Sequence, residues 1–281
     1  MAKIFLTAQN IDIYDGDNLD SFARTGSTSV EQVAKAGAEG VILGHPEAGD
    51  SPAVVRMKLM TVFDRTQTVP LNSFSRITVM AGESWEDFKN HSSTEVAKLI
   101  SQQILNILSD IPAEYAADFT IGYDPQWGSR GAGHDDAPPP EPDYISGVAA
   151  EIRSGLVKKY GLAIGAAIPI IYGGRSTPDR TLTILSDKNI DGLILGSACN
   201  TVQKTLEIID AMQTAKPKGR KVLHANFKAF NLADSYEQYV AVLSALDDSF
   251  IVYMSPCHAD LRKAAEALVR ASSNNIGSLL N

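Results

Sequence analysis

The sequence predicts an α/β fold of the (βα)8 barrel class. Short β-branched or apolar runs recur eight times along 281 residues, and longer segments between them repeat their apolar residues every three or four positions. Most of the short runs are continuously apolar instead of alternating, as a parallel strand covered on both faces requires. Eight strand–helix pairs in a chain of this length match the barrel. A doubly wound open sheet is the alternative architecture; against it, no strand leads into a GxGxxG phosphate turn.

In chain order, the first run covers residues 3–8 and precedes a helix predicted at 29–36. The second, 40–43, precedes a helix at 52–63. The third, 76–80, leads to the clearest helix, 92–108, opened by a capping-box pattern of Ser92 with Glu95. After the fourth, 118–123, come a Pro-rich loop at 137–142 and a helix at 144–160. The fifth and sixth, 168–172 and 191–195, precede helices at 178–186 and 201–212. The seventh, 221–226, is followed by a helix at 233–246 opened by Asp234 with Glu237, and the eighth, 249–254, by a helix at 259–271. No segment reads as an interdomain hinge. The 137–142 loop is too short, and 213–220 is a polar, basic connector, so one domain is predicted over residues 1–281.

Composition narrows the function. With 25 Lys plus Arg against 33 Asp plus Glu, the formal net charge is -8, which disfavours nucleic acid or an anionic membrane as partner, since either wants a clustered basic face. A content of 44% hydrophobic and 21% charged residues is ordinary for a globular protein with a core. The two cysteines, Cys199 and Cys257, have no CxxC or Cys/His spacing, so neither disulfides nor zinc are suggested and a reducing cytoplasm is expected. The longest apolar run, 162–172, is interrupted by Gly165 and Pro169 and falls short of the ~20 residues of a membrane span. The N-terminal apolar run is too short for a signal peptide.

In such a barrel, chemistry sits at the C-terminal strand ends. These ends read Ala8-Gln9-Asn10, Gly44-His45-Pro46-Glu47, Gly82-Glu83, Asp124-Pro125-Gln126-Trp127, Gly173-Gly174-Arg175-Ser176, Gly196-Ser197, Asn226-Phe227-Lys228 and Ser255-Pro256. A carboxylate, an imidazole and an ammonium therefore converge on one face beside two glycine-containing turns, a set suited to moving protons next to a carbonyl while holding an anion. Each has a plainer reading taken singly: His45 as a structural histidine, Asp124 as a turn former, Lys228 as a solvated lysine, the glycine pair as a tight turn. Their joint placement favours a site.

These segments resemble a known family. Val41-Ile42-Leu43-Gly44-His45-Pro46-Glu47 is similar to the V-I-L-G-H-S-E pattern of triosephosphate isomerases, Tyr123-Asp124-Pro125-Gln126-Trp127 to their Y-E-P-V-W, and Ile170-Ile171-Tyr172-Gly173-Gly174 to their I-I-Y-G-G. Ala8-Gln9-Asn10 resembles a family strand end, Thr25-Gly26 the T-G of its interdigitating dimer loop, and Asn226-Phe227-Lys228 the N-W-K that carries its lysine. The order differs, because the N-x-K strand belongs first in the family and here comes seventh. The resemblance thus implies a circularly permuted TIM barrel: residues 1–212 hold family units three to eight, 213–220 connect, and 221–281 hold units one and two. Exposed connections of a closed barrel tolerate such rearrangement.

What the resemblance implies is cofactor-free, metal-free proton transfer between dihydroxyacetone phosphate and glyceraldehyde 3-phosphate through an enediol, in a cytoplasmic enzyme that works as a homodimer. This family is itself the usual illustration of a carboxylate base paired with a neutral histidine. Carried over, Asp124 is the base, His45 the electrophile and Lys228 the substrate-steering cation. Asn226 and Glu47 support the substrate, and Gly174, Arg175, Ser176, Gly196 and Ser197 surround its phosphate. Pro125, Gln126, Trp127, Gly128, Ser129 and Gly131 belong to the closing lid.

The departures are specific. Asp124 stands where the family has Glu, leaving the carboxylate about 1 Å short, a misplacement that can cost about a hundredfold. Pro46 replaces a Ser, Ala48-Gly49-Asp50 lacks the family's basic residues, Ser197 replaces a second Gly, and Arg175 replaces a phosphate-contacting Ser. Arg175 either turns inward for a bidentate phosphate contact or is a solvated rim residue. Two functional readings follow: a triosephosphate isomerase, slow because of Asp124, or a barrel that binds a phosphoryl ligand without efficient turnover.

Overall fold

A computed structural model describes residues 2–13, 27–68, 74–129, 133–134, 136–216, 219–229, 232 and 234–279. Thr25, Gly26, Gly131 and part of the 213–220 connector lie outside the described residues. The strands are β1 (Lys3–Ala8), β2 (Gly40–Leu43), β3 (Arg76–Ala81), β4 (Phe119–Tyr123), β5 (Ile170–Gly173), β6 (Gly192–Leu195), β7 (Lys221–Asn226) and β8 (Phe250–Ser255). They form a closed barrel in sequence order. Parallel pairing of β8 with β1, from Lys3 opposite Ile251 to Leu6 opposite Met254, closes it and rules out the open sheet.

The continuous apolar runs acquire a physical meaning here. Along β2, Ile42 packs inside the barrel with Phe5, Met80, Ile171, Ile194, Val222 and Tyr253, while its neighbours Val41 and Leu43 face the helices. The same two-residue alternation holds in β5 and β6, so both faces of each strand are buried and neither needs polar residues. A second group of buried side chains is polar: Thr7, Thr78, Thr120, His224 and Ser255.

The helices are α1 (Val30–Lys35), α2 (Pro52–Thr68), α3 (Trp85–Asn90), α4 (Ser93–Ile107), α5 (Pro142–Gly165), α6 (Pro178–Leu185), α7 (Val202–Ala215), α8 (Tyr236–Ser244) and α9 (Leu261–Leu279). The predicted box at α4 forms, with Ser92 capping Glu95 and the Glu95 carboxylate returning to the Ser92 N–H. Its buried residues Val96, Ile100, Ile104 and Ile107 keep helical spacing against the barrel.

Other expectations are corrected. α8 starts at Tyr236 and its cap is Ser235, paired with Gln238; Asp234 instead accepts the Val202 N–H at 2.8 Å and caps the neighbouring α7. β5 begins at Ile170, two residues later than predicted, where the Pro169 ring removes a strand donor. The short helix α3 was not anticipated. α5 extends past the prediction but is broken at Gly161, whose φ of 81° is available to glycine at little cost. Among the described residues no helix is long and apolar enough to cross a membrane.

Candidate active site

The C-terminal strand ends surround a cavity of about 960 Å³. His45, Glu47, Asp124, Asn226 and Lys228 line it, as do Gly174, Arg175, Ser176, Gly196, Ser197 and Ser129. The closed barrel is what gathers them, since they come from turns after β2, β4, β5, β6 and β7.

His45 ends the β2 turn and caps a 3-10 turn over Pro46–Ala48, its Nδ1 accepting the Glu47 N–H at 3.2 Å. That acceptor role leaves the proton of a neutral ring on Nε2. Nε2 lies 3.7 Å from Asp124 Oδ2. The two groups converge without bonding directly, and a reacting carbonyl with its adjacent C–H fits that relation: a donor for the oxygen, an acceptor for the proton.

Asp124 follows β4, is only 3% exposed, and has its main-chain N–H held by the Ala81 carbonyl at 2.9 Å. Burial pushes its carboxyl above the usual aspartate range; the neighbouring His45 and the Lys228 ammonium oppose that shift, as does a 3.4 Å hydrogen bond from Ser129 Oγ to Oδ1, while Glu47 adds to it. With Oδ1 held by Ser129, Oδ2 is the oxygen directed at His45.

Lys228 sits one residue beyond Phe227, and its Nζ pairs with Glu47 across the cavity. Its φ of 51° makes it the one non-glycine residue with positive φ among the described residues, a strained conformation of the kind that clusters at functional sites. Asn226 Oδ1 accepts the Lys228 N–H at 3.2 Å. Gln9 holds the turn from the other side, its Nε2 lying 3.2, 3.0 and 3.0 Å from Asn226 Oδ1, the Lys228 carbonyl and the Ser255 carbonyl, which share its two protons. Gly196 leaves room for the lysine stem: a Cβ there would lie 3.1 Å from Lys228 Cε.

Arg175 does not turn inward. Its Nη1 donates to the Ala137 carbonyl at 2.7 Å and its Nη2 to the His134 carbonyl at 3.1 Å, tying the loop after β4 to the β5 turn. Neither an inward bidentate contact nor a purely solvated rim position describes it. At the start of that loop, Pro125, Gln126, Trp127 and Gly128 form a tight turn, with the Trp127 indole donating to Glu83 at 2.9 Å. Tyr144 also donates to Glu83 at 2.9 Å, and burial holds that carboxyl above its ordinary range. The Trp127 ring packs on Phe88 at 4.0 Å, and His134 stacks on Trp85 at 4.7 Å.

Several residues escaped sequence reasoning. Gln9 has no local sequence signal, because its bonds span more than 200 residues. Gly173 belongs to the base: a Cβ there would lie 2.8 Å from Asp124 Cγ. His224 is fully buried, bonded to Ser255 Oγ at 2.7 Å, and burial pushes its imidazole down to about 3, so it stays neutral inside the barrel. Burial likewise pushes the Cys199 thiol up to about 12, far from a reactive thiolate. Among the described residues no group of His, Cys, Asp and Glu is placed to hold a metal ion.

A family model described as triosephosphate isomerase matches residues 1–212. The triosephosphate isomerase of Idiomarina loihiensis is 28% identical over 215 residues, 75% of this chain and 76% of the relative. That of Mycoplasmoides gallisepticum is 28% identical over 201 residues, covering 70% and 73%. That of Streptococcus mutans is 29% identical over 195 residues, covering 68% and 71%.

Proposed function

Since the chain belongs to the triosephosphate isomerase family, as the match over residues 1–212 establishes, we propose that it interconverts dihydroxyacetone phosphate and glyceraldehyde 3-phosphate by cofactor-free proton transfer. The observation that carries the reading is the convergence of Asp124 Oδ2 and a His45 ring nitrogen, 3.7 Å apart, in a cavity that Lys228 also lines.

In this mechanism Asp124 Oδ2 removes the proton from the carbon next to the carbonyl. The His45 Nε2–H hydrogen-bonds the carbonyl oxygen as negative charge develops there. Lys228 exchanges part of its Glu47 pairing for the substrate, with Asn226 and Glu47 supporting the turn. Asp124 then returns the proton to the neighbouring carbon, while His45 passes the hydroxyl proton from one oxygen of the enediol to the other, so that carbonyl and hydroxyl exchange places. Burial of Asp124 strengthens it as a base, because a carboxylate that holds its proton more tightly removes one more readily once ionised. Its short side chain acts the other way and makes the enzyme slow.

The permuted reading is part of the proposal. The family match ends within α7, and β7 and β8 fill the barrel between β6 and β1, where the family's first and second strands belong. A homodimer built through the segment holding Thr25 and Gly26, in the cytoplasm, completes it; light scattering that finds only monomer removes the dimer.

The deciding assay follows glyceraldehyde 3-phosphate in a coupled reaction for wild type, Asp124→Glu and Asp124→Ala. Wild type turns over, and Asp124→Ala loses about 10²–10⁴-fold, the usual contribution of a positioned base. Wild-type inactivity that Asp124→Glu fails to restore refutes the enzyme and leaves a phosphoryl-ligand barrel. Equal rates for wild type and Asp124→Ala refute the assignment of the base.

A further inference from the structure

A triose phosphate brings about two negative charges into a chain of net charge -8, so the cations on the cavity wall decide where its phosphate rests. Among the described residues, three Lys or Arg side chains line the cavity: Lys228, Arg175 and Lys204. Two are held in place. Lys228 pairs with Glu47, and Arg175 is tied to the loop after β4 through one bond from each Nη, to the carbonyls of Ala137 and His134.

Lys204 is different. It lies in the first turn of α7, and its Nζ reaches the side chain of Asn200, donating to Oδ1 at 3.3 Å. That acceptor is neutral and uses one of three ammonium donors. Glu207, three residues on and also at the cavity, accepts from Gln203 at 3.1 Å, and among the described residues no carboxylate forms an ion pair with Lys204. No salt bridge therefore holds its ammonium on the cavity wall.

Its placement follows from the β6 turn. Gly196 caps a 3-10 turn over Ser197–Cys199, which Asn200 closes through a hydrogen bond to the Ser197 carbonyl. The Lys228 stem passes the Gly196 end of this turn, and Lys204 holds the Asn200 end. Two ammonium groups thus flank Gly196, Ser197 and Ala198, the stretch at which the proposed substrate's phosphate is expected.

We infer that Lys204 is a phosphate-binding, specificity-determining residue, taking over at the β6 turn the cationic contact that Arg175 gives up to the loop. The inference rests on the triose phosphate reading for its substrate, and on the cavity wall alone for its anion. In the bound state the ammonium keeps Asn200 and donates its remaining protons to phosphate oxygens. A charged hydrogen bond of this kind contributes enough for about a tenfold change in affinity. Because the phosphate contact is made equally in the ground and transition states, its loss raises KM and leaves kcat nearly unchanged.

The test uses inorganic phosphate as the probe on the full chain. Its dissociation constant is measured by calorimetry for wild type, Lys204→Gln and Lys204→Arg, alongside KM and kcat with glyceraldehyde 3-phosphate. Lys204→Gln is expected to weaken phosphate about tenfold and to raise KM by a similar factor with kcat within about twofold, and Lys204→Arg to restore most of both. Phosphate affinity unchanged in Lys204→Gln overturns the inference, as does a fall in kcat at constant KM. If wild type shows no isomerase activity, the proposed reaction fails, yet the phosphate measurement still decides the role of Lys204. Melting curves confirm that the exposed substitution leaves the fold intact.

Discussion

Replacing Gly173 by alanine inserts a methyl group between the proposed base and the wall of the barrel. The new Cβ would lie 2.8 Å from Asp124 Cγ, 2.9 Å from Oδ1 and 2.9 Å from Ile194 Cγ2. Ordinary carbon contacts begin at about 3.5 Å, so about 0.7 Å must be found on the carboxylate side. Ile194 is buried and blocks relief on the other side, while the Asp124 main chain is held at Ala81. The carboxylate therefore moves. With about a hundredfold lost per 1 Å of misplacement, a shift of this size costs roughly 20-fold in kcat/KM, and overpacking costs about 1–3 kcal/mol of stability. The coupled assay and a denaturant melt read the two effects separately. In an Asp124→Asn background the same substitution should cost almost no further activity, because the group it displaces no longer acts as a base. Activity of Gly173→Ala within twofold of wild type, or a full 20-fold loss that persists in the Asp124→Asn background, would refute the reasoning.

Three further outcomes are expected. Because burial raises the Asp124 carboxyl, the acid limb of the rate profile should fall at a pH above the ordinary aspartate range, and Ser129→Ala, which removes a hydrogen bond to the ionised form, should move it higher; an unmoved or lowered limb in the pH–rate profile counts against that contact. His224 is buried neutral, pushed from 6.5 to about 3, so protonation favours the unfolded chain and stability should fall as pH drops below 6.5, by up to about 1.4 kcal/mol per unit from this group; chemical denaturation between pH 6 and 4 should show that slope reduced in His224→Gln. Arg175→Ala removes the guanidinium from the His134 and Ala137 carbonyls, so exchange of the Ala137 amide, which bonds the His134 carbonyl at 3.0 Å, should accelerate while inorganic phosphate binding changes little; a large loss of phosphate affinity would return Arg175 to the phosphate.

Much of the barrel was legible because burial on both faces of a strand writes itself as an unbroken apolar run. The first, second and seventh strands, 3–8, 40–43 and 221–226, match the structure at both ends. Helix starts were less legible where two acceptors compete. Asp234 and Ser235 are both good caps, and only the position of α7 beside the loop assigns Asp234 to Val202 and leaves Ser235 to α8. The six residues of α3 are too few to show a period, although Ser84 and Asp87 form a capping box there.

By itself, the sequence determined which residue types stand at the strand ends and hence the chemistry on offer: a carboxylate, an imidazole, an ammonium and glycine-lined turns, in segments that resemble a known family. Tertiary structure alone decided which atoms meet. That Oδ2 of Asp124 faces His45, that Gly173 must lack a side chain, and that Gln9 holds the Lys228 turn depend on strands far apart in sequence becoming neighbours when β8 closes onto β1. Arg175 shows the limit most clearly. Its place in the turn after β5 was readable, but its guanidinium bonds the carbonyls of His134 and Ala137, and those lie in a loop some forty residues away.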